Sequence, residues 1–325
     1  MDQSFQQSIA PRLCDNGKQT RTQEMAAYKK IYPGMELTLQ RQEVPAFVRD
    51  HLIDSARVHA AALMIFDALD GKTRKNRKTE PLVAHSFRAA AAVAASPDIY
   101  APLERLLLSV LPQKIQRERK IAAIVGALLH DGEEDTSKKP NPSQRLNATR
   151  MVEDIGYQPG AMKDAVIALI RYSTDTPGLK DEVRRAAQTQ KALALAKTHG
   201  MLRRLGGIVK AVGDKTDNLE SDKIDFAAGR LRPPTLQVAV VMMKAKMGDV
   251  DVVDAQPGVP DAIKAVFRKD AYQLTQNLRR YAEENFGVEA TRESMQTLSI
   301  VAPIKETGLF FKGSIRKALR HAFNH

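Results

Sequence analysis

From Arg117 to Asp131 the apolar residues Ile121, Ile124, Val125, Leu128 and Leu129 return at i, i+3, i+4, i+7 and i+8. That spacing lays one apolar stripe along a helix. It cannot line one face of a strand, whose side chains alternate with a period of two. Helical spacing of this kind dominates the rest of the chain and strand-like alternation is scarce, so the pattern reads as an all-α fold. With 325 residues, 43% of them apolar, the chain can fill one large core or two modest ones.

Several classes are set aside on composition. No run of 18 apolar residues occurs, so no membrane span is expected. The start, MDQSFQQSIAPRLC, has neither a basic beginning nor an apolar stretch, so no secretory signal is expected. Cys14 is the single cysteine, which excludes an intramolecular disulfide and fits a reducing, cytoplasmic home. The formal charge is +12, and basic residues gather in Lys72–Lys78, Lys114–Lys120 and the tail from Lys312. Such charge suits a phosphate-rich partner, nucleotide or nucleic acid, although solvated loops account for each run equally well.

Residues 1–45 are polar and without a clear period, and read as a flexible arm. Helices are predicted at about 48–69, 82–95, 102–111, 117–131, 143–155, 160–171, 181–198, 201–222, 235–247 and 259–285. Pro97, the pair Pro140 and Pro142, and Pro233-Pro234 mark breaks. A weakly patterned basic tail closes the chain.

The helix at 117–131 runs into GALLHDGEEDTS, where Asp131, Glu133, Glu134 and Asp135 crowd a helix C-terminus that already carries partial negative charge. Two explanations are open. Gly132 ends the helix and the acids lie in the turn or start another helix, where acids are ordinary. Or a bound cation offsets them, with His130 as a neutral nitrogen ligand beside the carboxylates. Among the seven histidines, His85 stands out in PLVAHSFRAAAAVA, whose small residues permit close helix approach. In MLRRLGGIVKAVGDKTDNLES the residues Leu205, Ile208, Val209, Val212 and Leu219 form an apolar stripe. The opposite face carries Gly207, Ala211, Asp214, Asn218 and Ser221, small and short polar groups rather than the long charged ones of a plain solvent face.

Taken in order, KNRKTEPLVAHSFRAAAAVA, GALLHDGEEDT, YSTDTPGLKDEVRRAAQ and VKAVGDKTDNLES resemble the hydrolase domain of RelA/SpoT-type alarmone enzymes, a branch of the HD phosphohydrolases, over about residues 50–225. The resemblance implies an HD-domain helical bundle at 46–232, additional C-terminal helices at 233–290 packing on it, and a basic tail at 291–325. It implies that His85, His130, Asp131 and Asp214 hold one metal ion, usually manganese. Glu134 and Asp135 match the acid pair that handles water activation and proton transfer. Asn218, Ser221, Arg77 and Lys78 match positions that contact the nucleotide. Ser86 stands where the family has proline, Asp217 where it has histidine, the Thr79-Glu80-Pro81 loop is one residue shorter, and the stretch between His85 and His130 is longer.

The expected activity is metal-dependent removal of the 3′-pyrophosphate from guanosine tetra- or pentaphosphate, with a guanine nucleotide as partner rather than a membrane or nucleic acid. The residues themselves support metal-assisted phosphoester hydrolysis. The same site acting on a nicotinamide dinucleotide phosphate or a deoxynucleotide, and a non-catalytic module binding nucleic acid or a protein, are the alternatives. No stretch after residue 225 matches the family's synthetase half, which points to a hydrolase-only form.

Overall fold

A computed structural model describes residues 39–74, 77–96, 112–137, 145–175, 181–197 and 201–300. It is an all-α helical bundle with one small β-ribbon. After a single 3-10 turn at Arg41–Glu43, the helices are α1 (Val44–His51), α2 (Ala56–Leu69), α3 (Leu82–Ala95), α4 (Gln113–Leu129), α5 (Gly132–Thr136), α6 (Ala148–Asp154), α7 (Ala161–Ser173), α8 (Asp181–Ala196) and α9 (Met201–Ile208). A π-helical segment, Val209–Lys215, leads into α10 (Thr216–Ala227), and α11 (Leu236–Asp254), α12 (Asp261–Phe286) and α13 (Val288–Ile300) follow. The ribbon pairs β1 (Thr73–Arg74) antiparallel with β2 (Arg77–Pro81).

Small side chains set how closely the central helices pack. α3 begins directly after Pro81, whose ring fixes an extended entry, and buries Val83, Ala84, Phe87, Ala90 and Val93. α4 buries the predicted stripe from Ile121 to Leu129. Gly126 in α4 lies so close to α7 that an added Cβ would sit 2.7 Å from Leu169 Cδ2. Gly213 brings the π segment to α3, where the same atom would meet Val93 Cγ2 at 3.4 Å. One apolar core runs through all of these helices and includes Ile65, Leu128, Leu169 and Ile208, together with Leu274 and Leu278 of α12.

Several sequence expectations are corrected. The helix expected at 48–69 is two helices, because Ser55 adopts an extended conformation (φ −152°) and starts α2. Residues 41–45 are not part of a loose arm: Val44 is fully buried and Arg41 pairs with Asp67 at 2.7 Å. The basic loop before Pro81 contains the β-ribbon, and the run Lys114–Lys120 forms the first turns of α4. The expected single helix at 201–222 contains the π segment and runs on to Ala227. There the Thr216 hydroxyl donates to the carbonyl of Ala211, five residues back, and holds the widened turn. The tail expected from 291 is helical to Ile300. The helix expected at 102–111 lies outside the described residues. No helix among the described residues is long and apolar enough to cross a membrane.

Candidate metal centre

Three elements distant in sequence meet at one point. His85 sits in the first turns of α3, His130 caps α4, Asp131 follows it, and Asp214 lies in the π segment. His85, His130 and Asp214 are buried. The two imidazole Nε2 atoms face each other at 3.2 Å. Asp131 Oδ2 lies 3.3 Å from His85 Nε2 and 3.1 Å from His130 Nε2. Asp214 Oδ1 lies 3.6 Å and 4.0 Å from the same two nitrogens.

The outer nitrogens decide what the inner ones can do. His130 Nδ1 is 2.8 Å from the carbonyl of Ala127, which can only accept, so Nδ1 carries the hydrogen. His85 Nδ1 is 2.7 Å from Asp217 Oδ2. Burial works against ionisation of Asp217, yet Arg88 and His85 hold its carboxyl far below the usual range, so it too accepts. In its neutral form each ring therefore keeps the lone pair on Nε2, aimed at the other ring and at two carboxylate oxygens. Four such acceptors converging in a buried space call for positive charge between them, which a proton on His130, raised by Asp131 and Asp214, or a metal ion in its place can supply. Ligand atoms about 2.1 Å from one ion stand about 3 Å apart in neighbouring coordination positions, close to the separations seen here. Two imidazoles with carboxylate oxygens suit a divalent transition metal. His85, His130 and Asp214 thus form a buried group that could hold a metal ion, with Asp131 on its edge.

The supporting residues were not legible as a set. Arg88 grips Asp217 with Nε to Oδ1 at 2.6 Å and a terminal nitrogen to Oδ2 at 3.0 Å, and it pairs with Glu80 at 2.5 Å. Ser221 Oγ takes a longer bond of 3.3 Å from Arg88. Lys210, almost fully buried, bridges Asp175 Oδ1 at 2.7 Å and Asp214 Oδ2 at 2.8 Å. Burial disfavours its charge, but Asp175 and Asp214 outweigh that and raise its pKa. Burial likewise resists the charge on Asp214, and Lys210, Lys215 and the imidazoles hold its carboxyl well below the carboxylate range. Asp131 is depressed in the same sense by His130 and His85. His130 moves up, since Asp131 and Asp214 overcome its burial. The signals available in sequence were spacings alone: Arg88 three residues after His85, and Lys210 four before Asp214, each spacing that of neighbours on one helix face.

The crowded acids open the short helix α5, as the plainer of the two sequence explanations had it, and Asp131 also belongs to the converging group. Burial and the neighbouring Asp131, Asp175 and Asp135 push Glu134 up to about 7. Burial and Asp131 push Asp135 up to about 6. Lys72 Nζ donates to the Asp135 carbonyl at 2.9 Å and ties the ribbon to this turn. Asn218 Nδ2 donates to Asp214 Oδ1 at 2.5 Å. Of the other expected nucleotide contacts, Ser221 is buried against Arg88, and the side chains of Arg77 and Lys78 on β2 lie outside the described residues. Comparison of the chain with protein-family models, with curated proteins and with solved structures found no match.

Proposed function

We propose that the chain is a metal-dependent phosphohydrolase, with His85, His130, Asp131 and Asp214 as ligands of one Mn²⁺ ion and guanosine tetra- or pentaphosphate as substrate. The observation that carries this is the convergence of two imidazole Nε2 nitrogens and two carboxylates on one point. When bound, a divalent ion supplies charge for a phosphate oxygen and lowers the pKa of a water. The rest falls to the chain's own side chains. Asp217 and the Ala127 carbonyl hold each imidazole in the tautomer that leaves Nε2 free. Glu134, pushed to about 7, can take a proton from the attacking water and return it near neutral pH. Asp135, at about 6, is the second member of the relay. Lys72 beside this turn adds positive charge where an anionic substrate approaches. The proposed step breaks the bond between phosphorus and the ribose 3′ oxygen. One water is consumed, and guanosine diphosphate or triphosphate and pyrophosphate are released.

The assignment to guanosine 3′-pyrophosphates rests on the ordered motifs from KNRKTEP to VKAVGDKTDNLES. The test is incubation of the purified chain with guanosine tetraphosphate and Mn²⁺, alongside a nicotinamide dinucleotide phosphate and a deoxynucleoside triphosphate. Guanosine diphosphate and pyrophosphate should form with the unmodified chain and be lost with Asp131→Ala and Asp214→Ala. Turnover of either other nucleotide in its place would reassign the substrate. No turnover of any of the three, with tight Mn²⁺ binding retained, would count against all of these substrates.

A further inference from the structure

Asp214 and Asp249 lie on different elements, yet both carboxylates bear on one ammonium group. Lys215 Nζ is 3.3 Å from Asp249 Oδ1 and 3.9 Å from Asp214 Oδ2. All three residues are buried. The near position on Asp214 Oδ2 is already taken by Lys210 at 2.8 Å. Asp249, on α11, draws two further cations: Arg185 Nε of α8 at 3.1 Å and Lys246 Nζ at 3.5 Å. Lys246 is itself held by Asp222 at 2.6 Å. The residue beside Asp249 is Gly248, where a Cβ would sit 2.7 Å from Arg185 Cδ, so the absence of a side chain lets α8 lie against this part of α11.

A buried ammonium settles where negative charge is nearest, and at these separations in a protein interior the pull is strong. Lys215 stands between two carboxylates and leans toward Asp249. Charge on Asp214 that is spent on Lys215 is not available to a cation at its other oxygen, Oδ1, which faces the imidazoles. We infer that Asp249 is a positioning residue for the metal centre: it holds Lys215 away from Asp214 and thereby sets the affinity of the site for a divalent cation. The inference rests on Asp214 being a metal ligand, as proposed above. It gives the α11 helix a part in tuning a centre to which it contributes no ligand.

The sign is specific. With the charge of Asp249 gone, Lys215 is left to the pull of Asp214 and, more weakly, of Asp175, and it closes on Asp214, so Mn²⁺ competes less well. With Lys215 uncharged, Asp214 is relieved of one cation and binds Mn²⁺ more tightly, while Asp249 still has Arg185 and Lys246. The experiment is Mn²⁺ binding to the full chain, read by calorimetry and by the electron paramagnetic resonance signal of free Mn²⁺, with melting curves for every variant. Asp249→Asn should weaken binding on the order of tenfold. Lys215→Met should tighten it a few-fold, and the double variant should match Lys215→Met. A damaged fold would weaken binding in all three, which overturns the inference. So does unchanged affinity in Asp249→Asn. If Asp249→Asn does not fold, the direction of the change in Lys215→Met decides. Absence of Mn²⁺ binding in the unmodified chain defeats the metal reading itself, whereas binding that ignores both residues defeats only this inference.

Discussion

Arg88 holds both carboxylate oxygens of Asp217, and Asp217 in turn takes the Nδ1 proton of His85. A guanidinium, a carboxylate and an imidazole are thus in series, and the last presents its free nitrogen to the converging acceptors. Such an outer partner fixes the ring and raises its basicity, and its loss costs about 10- to 100-fold in metal affinity. Asp217→Asn should therefore weaken Mn²⁺ binding by that order without removing a ligand. Titration calorimetry checks it, and an affinity equal to the unmodified chain would show that His85 is oriented by packing alone.

Glu134 is the side chain asked to move a proton, with its pKa pushed to about 7. Glu134→Gln keeps the shape and removes the base. It should lower kcat on the order of 100-fold or more and leave Mn²⁺ affinity within a few-fold. Steady-state rates on guanosine tetraphosphate, read beside metal binding, separate the two effects.

The acid pair also makes a prediction about stability in the metal-free chain. Glu134 and Asp135 titrate at about 7 and about 6 in the fold, above the ordinary values of 4.5 and 3.8. Raised carboxyl groups bind more protons folded than unfolded, so their contribution is fully present below the ordinary values and is lost as pH rises through the folded ones. His130, also raised, acts in the same direction above the ordinary imidazole value. The depressed carboxyls of Asp131, Asp214 and Asp217 titrate below this window and leave it unchanged. The Tm of chelator-treated protein should fall between about pH 5 and pH 8, and Glu134→Gln should flatten the slope. Mn²⁺ should add stability that grows with pH, because protons compete for the same atoms. Scanning calorimetry across that range reads all three.

At Gly207 the usual rule for glycine in a helix reverses. Replacing a helical glycine by alanine ordinarily stabilises by about 1 kcal/mol. Here a Cβ would lie 2.1 Å from the carbonyl oxygen of Pro257, a backbone atom that cannot swing aside. Gly207→Ala should destabilise by about 1–3 kcal/mol, measured by denaturant unfolding.

Much of the bundle was legible from periodicity. The helix at 82–95 has the bounds the sequence predicted, and the stripe from Ile121 to Leu129 is buried as read. The converging group was legible in part, since His130-Asp131 announces itself by its neighbouring acids and His85 by its alanines. What escaped were features decided by packing across the chain. A regular 3.6-residue period runs through Leu205, Val209 and Val212 without showing the extra residue in the turn at Val209–Lys215. Asp217 read as a departure from a motif, because its partner Arg88 is 129 positions away. Lys210 drew no reading of its own from the sequence, and only tertiary contact reveals it buried between two carboxylates.

The widened turn has a consequence for how the chain can vary in length. Excising one residue, such as Val212, would let Val209–Lys215 relax to ordinary helix. The seven residues of the widened segment turn through about the same angle as six of ordinary helix, so everything after it would keep its orientation. Asp217 would stay on the ring it steadies and Leu219 in the interior, while the backbone that carries Asp214 would be rebuilt. The spare residue therefore acts locally: this stretch could shorten by one with the helix beyond it still in register, and the change would fall on Asp214, the aspartate the widened turn carries.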